Sequence, residues 1–218
     1  MLKRLSISAA ATLACMATAA QVKEYTVPFP KPIGHGTDTV KVIVIGDVMM
    51  HSRQLDYNCR TFLEGISPAL RQADIAIANM EFSLGGPPYS GYPAFSAPDE
   101  YAEYIKEGCG VDVFLTANNH ILDKGRKGLA RTLSIYDKIR VKHTGAASDS
   151  TALNDNYPLM ITKRGIRLAV INFTYGTNNP VGNKSGWPTV NMMHKDNVRA
   201  AIKKAKDINV EQIKNVYD

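Results

Sequence analysis

The run Thr116-Ala117-Asn118-Asn119-His120-Ile121-Leu122-Asp123-Lys124-Gly125 puts two amides, an imidazole and a carboxylate into one short loop, directly after the strand-like residues 111–115. That mixture suits metal or phosphate chemistry. Ligands of open α/β sheets gather beyond the carboxyl ends of the strands. Two more such ends carry acids here: Gly46-Asp47, with His51 four residues on, and Asn79-Met80-Glu81. Asp47 alone reads equally as a helix cap, and Glu81 alone as a surface residue. Together with the His120 loop they crowd acids at one sheet edge, and unpaired acids in contact raise each other's pKa. A divalent cation resolves that conflict. Carboxylate oxygen mixed with imidazole nitrogen favours Mn, Zn, Fe or Mg over a calcium cage.

The elements that must hold these residues follow an alternating pattern. Apolar strand segments at residues 40–45, 74–78, 111–115 and 141–144 are separated by helical periods at 67–72, 98–107 and 126–138. This is the signature of an α/β fold. Ser67 before Pro68 reads as a cap, and Pro98 suits a first helical turn. Residues 157–163 and 166–173 flank Arg164-Gly165 and predict a hairpin. An antiparallel pair thus joins parallel strands, and mixed sheets follow. Residues 194–208 predict a helix with Val198, Ala201, Ile202 and Ala205 on one stripe and a solvated stripe of Lys195, Arg199 and Lys203. No convincing strand follows it, so the expected fold is incomplete at the C-terminus.

Residues 1–20 stand apart. Lys3-Arg4, an apolar stretch and Ala17-Thr18-Ala19-Ala20 read as a secretory signal peptide, too short to span a bilayer, and Cys15 raises a lipoprotein alternative. Residues 21–39, with Pro28, Pro30 and Pro32, read as an extended leader, and residues 40–218 as the folded part. The predicted location is exported, in a periplasm or at a cell surface. Removing the first twenty residues takes the formal charge from +6 to +4. That mildly basic balance suits an anionic polymer or phosphorylated partner, without the basic and aromatic stripe of a nucleic-acid binder. No later stretch is long and apolar enough to span a bilayer. Cys59 and Cys109 leave one disulfide open as an alternative to two free thiols.

Gly46-Asp47-Val48-Met49-Met50-His51, Ala78-Asn79-Met80-Glu81, Gly91-Tyr92-Pro93-Ala94-Phe95-Ser96-Ala97-Pro98, the His120 run and His143-Thr144-Gly145-Ala146 together resemble the CapA family of poly-gamma-glutamate capsule biosynthesis proteins. The resemblance spans roughly residues 40–208. It implies a metallophosphatase-like, calcineurin-like α/β/β/α sandwich and an exported protein of capsule polymer synthesis. It implies that Asp47, Glu81, Asn119 and, more weakly, His51 hold metal. It further implies that His120 stabilises charge or protonates a leaving group, with Asp123 orienting it or capping the next helix. Asn79, Asn118 and Tyr92 then line the substrate, and the partners are an anionic polymer such as polyglutamate or capsule-assembly proteins. The family continues into a His-x-Gly-x-Glu motif and a His-x-His motif, which this sequence lacks. Three readings follow: part of a metal-dependent phosphoesterase-like site, a non-catalytic polyanion-binding or assembly module, or an inactive truncated product. A truncated sheet is also expected to expose strand edges.

Overall fold

A computed structural model describes residues 39–180 and 185–217. The predicted signal peptide at 1–20, nearly all of the leader at 21–39 and Cys15 lie outside the described residues.

Val42–Val48 (β1), Ile75–Met80 (β2), Val113–Leu115 (β3) and Lys142–Thr144 (β4) form one sheet in the order β1-β2-β3-β4, with every pairing parallel. Parallel neighbours need long crossovers. These contain the helices Ser67–Arg71 (α1), Asp99–Glu103 (α2) and Gly125–Lys138 (α3). All four strands run the same way, so their carboxyl ends, and the loops that follow them, gather at one edge. The register pairs Asp47 with Asn79, with an irregularity between Ile45 and Asp47.

Alternation along the strands divides the core. Ala76, Ala78, Met80 and Phe114 face helix side chains such as Leu70, Tyr101 and Tyr136. Ile75, Ile77 and Val113 face the other way, onto Leu159, Ile161, Leu168 and Val170. Those last residues belong to the hairpin Leu159–Lys163 (β6) and Ile166–Val170 (β7). The hairpin is antiparallel as predicted, with Arg164 and Gly165 both at positive φ in its turn. It stands as a separate sheet packed on the parallel one, because its apolar side chains cover a face and its backbone pairs with itself. A third sheet pairs Ala146–Ala147 (β5) with Thr189–Val190 (β8), antiparallel. The fold is therefore a mixed α/β fold with several sheets. On β1, which among the described residues pairs with β2 alone, Val44 is 63% exposed.

Local chemistry differs from the sequence reading at a few points. Ser67 does not cap α1. Ile66 holds that position, while the Ser67 hydroxyl donates back to the Glu64 carbonyl at 3.2 Å. Pro98 precedes α2 as its extended N-cap, and the helix passes into a π-helical turn at Tyr104–Gly108. After Ser150–Asn156 (α4), the last helix is Lys195–Tyr217 (α5). Ala201 is buried in it, whereas Ile202, predicted on the same stripe, is 44% exposed. Lys195, Arg199 and Lys203 are exposed, as expected. Cys59 and Cys109 are free thiols. Among the described residues no helix is long and apolar enough to cross a membrane.

Candidate functional site

The site grows from β1, β2 and the loop after β3. Register alignment sets Asp47 beside Asn79, whose amide donates to Asp47 Oδ1 at 2.7 Å. The Asn118 amide crosses to Asn79 Oδ1 at 3.2 Å and to the Met80 carbonyl at 2.9 Å, and Asn118 Oδ1 accepts the His120 N–H at 3.1 Å. One ladder of amides therefore fixes the spacing between the first strand end and the imidazole.

His120 is held from three sides. Its Nδ1 lies 2.7 Å from Asp123 Oδ2, an oxygen that also accepts the Phe95 N–H at 2.7 Å. That oxygen is accepting, which makes Nδ1 the donor and turns Nε2 towards Glu81 Oε1, 3.9 Å away. Phe95 packs edge-on to the ring at 4.6 Å and in turn to His51 at 4.9 Å. The Asn178 amide lies 3.2 Å from Nδ1 and 3.3 Å from Nε2. Such near-equal distances place the amide over the ring face. Asn178 also donates its backbone N–H to the Asn119 carbonyl at 2.8 Å. Sequence reasoning missed Asn178, which lies 58 residues from His120 in a segment without acid or histidine.

Glu81 is 7% exposed, and its Oε2 is buried without a hydrogen-bond partner. Burial, then the neighbouring Asp47 carboxylate, push its pKa from 4.5 up to about 7. Burial also raises the Asp123 carboxyl, against the pull of its hydrogen bond with His120. Asp123 orients the imidazole and caps nothing, since Lys124 occupies the N-cap of α3 without a side-chain bond.

The predicted residues divide accordingly. Asp47, Asn79, Asn118, Glu81, His120 and Asp123 meet in one constellation, which Asn119 joins through its carbonyl. His51 touches it through Phe95 and stands at the N-cap of the 3₁₀ turn Ser52–Asp56. With Asp47 it borders a separate cavity of about 390 Å³ walled by Phe62, Leu63 and Tyr101. Tyr92 is 74% exposed.

The expected Mn, Zn, Fe or Mg ion does not fit these residues. Among the described residues no group of three or more His, Cys, Asp or Glu side chains is arranged to hold a metal ion. Asp47 is engaged by Asn79, and Asp123 by His120 and Phe95, leaving one orphan oxygen, Oε2 of Glu81. A cation cage needs several converging ionised oxygens or free nitrogens. The expectation of a Mn, Zn, Fe or Mg cofactor, for which Asp47, Glu81, Asn119 and His51 were the expected ligands, is overturned.

Comparison with known proteins agrees with the motif pattern. Over 154 residues the chain is 25% identical to the capsule biosynthesis protein CapA of Bacillus anthracis, covering 66% of this chain and 37% of that protein. Two uncharacterized proteins of Sinorhizobium fredii, y4sH and y4uA, are each 32% identical over 143 residues, covering 62% of this chain and 30% of theirs. The chain thus spans about a third of the length of these relatives. Residues 41–216 match the bacterial capsule synthesis protein family PGA_cap, and the chain belongs to that family.

Proposed function

We propose that this protein serves capsule synthesis as a non-catalytic module that binds an anionic polyglutamate-type polymer, or an assembly partner carrying one, at the His120 cleft. The observation that carries this reading is the cleft's chemistry. Amides of Asn79, Asn118 and Asn178 run from Asp47 to the His120 ring, and beside that ring lies a buried Glu81 with a pKa raised to about 7. Such a set donates and accepts hydrogen bonds along an amide- and carboxyl-bearing chain, and a protonated Glu81 donates where an ionised one repels. Export to a periplasm or cell surface, and a metallophosphatase-like sandwich as the parent fold, belong to the same proposal. They rest on residues 1–20 and on the motif resemblance.

The test is calorimetric titration of the purified chain with an oligo-γ-glutamate in excess EDTA. Binding that survives chelation is expected. Absence of binding, or binding that vanishes in EDTA and returns with a divalent ion, overturns the reading.

A further inference from the structure

A further cavity of the described residues lies away from the cleft. It is a groove of about 480 Å³ between α4, β8 and α5, within the size range of ligand sites. The cleft carries Asp47, Glu81 and Asp123. The groove has no acidic residue among its described walls, which include Lys204 and His194. Asn154 and Asn197 add amides, and Tyr157 and Phe173 meet edge-to-face at 5.7 Å against aliphatic neighbours. Lys204 Nζ donates to the Asn154 carbonyl at 2.7 Å, which positions the ammonium and leaves two of its N–H groups for other acceptors. The phenol oxygen of Tyr157 is buried without a hydrogen-bond partner, an unspent polar group in the wall.

Groove and cleft share a hydrogen-bonded partition. Asn191, a groove residue, donates from its amide to the Asn172 carbonyl at 3.3 Å. The Asn172 side chain accepts the Ala117 N–H at 2.6 Å and donates to the Ala117 carbonyl at 3.3 Å, one residue before Asn118. Gly145 presses against this pair, at φ 114°, so closely that a Cβ there would collide with both Asn172 and Ala117.

We propose that the groove between α4, β8 and α5 is a second binding site, for an extended anionic polyamide chain. The inference rests on the functional reading above and extends it: a second segment of the same polymer lies in the groove, where Lys204 supplies positive charge. Lys204 meets its carboxylates, the asparagine amides meet its backbone, and the aliphatic wall covers its methylenes.

Fluorescence anisotropy of a labelled oligo-γ-glutamate tests this, with thermal melts confirming that each variant is folded. Lys204→Gln removes one charge-assisted contact and should weaken binding roughly tenfold, with Lys204→Arg restoring most of it. Ala200→Glu places a carboxylate in the wall without deleting any hydrogen bond and should weaken binding to a similar degree. An uncharged oligoglutamine should not compete. A photoreactive oligomer should cross-link within residues 153–157 or 189–204. Native-like affinity in both folded variants, cross-links confined to the His120 cleft, or a self-associated chain whose groove is filled by a second copy overturns the groove assignment alone. Failure of the native chain to bind any oligomer overturns the functional reading with it.

Discussion

Replacing Glu81 by glutamine should change how stability depends on pH. The folded chain holds the Glu81 proton with a pKa near 7, against an ordinary 4.5. The folded state therefore binds that proton more tightly than the unfolded state. The contribution is fully present below pH 4.5 and is lost as pH rises through about 7, at about 1.4 kcal/mol per pH unit between those values. The full interval amounts to about 3 kcal/mol, and solvent at the sheet edge reduces the realised figure to about 2. Glutamine keeps the shape and cannot ionise. Urea denaturation at pH 5, 6, 7 and 8 should show the wild type losing about 2 kcal/mol across the series. Glu81→Gln should be much flatter, equal near pH 5 and more stable at pH 8. Parallel curves for the two proteins would refute the idea that Glu81 is buried as its protonated form.

Two further outcomes follow from the loops around the cleft. Gly145→Ala should cost about 2–4 kcal/mol, because positive φ is compounded by collision with Ala117 and Asn172. Gly165→Ala, at positive φ but with open space around it, should cost only about 1 kcal/mol, and paired thermal melts compare them. Arg131 forks onto Asp99 at 2.7 and 2.9 Å and also donates to the Leu84 carbonyl at 2.6 Å. Arg131→Ala should lower stability by about 1 kcal/mol, given its partial exposure. It should also speed proteolysis within residues 84–98; an unchanged cleavage rate would count against that loop being held by Arg131.

What could be read from the sequence was whatever local period encodes. The four parallel strands, α3 and the hairpin turn at Gly165 were legible because apolar alternation, helical spacing and a glycine at positive φ are each local signals. The convergence of Asp47, Glu81, His120 and Asp123 was legible from strand-end position. Their protonation and pairing were not, since these depend on distances such as the 2.7 Å between His120 and Asp123 and on the burial of Glu81. Of the acids that suggested a cation, Asp47 and Asp123 are spent on neighbours, and Glu81 keeps one oxygen unpaired. Asn178 and the α4–β8–α5 groove carried no signal, because both arise from packing between segments far apart in the chain. The hairpin's placement on a sheet face, instead of within the sheet, was likewise a tertiary choice.

One oxygen ties two loops together. Asp123 Oδ2 accepts from the His120 ring and from the Phe95 backbone, so the segment before α2 and the imidazole are restrained by one atom. Local opening of either segment must break its bond to that oxygen and remove one of the two restraints on the Asp123 carboxylate that the other shares. A ligand that orders the imidazole will also quiet a loop some twenty-five residues upstream, carrying the effect of occupancy to a surface it never touches.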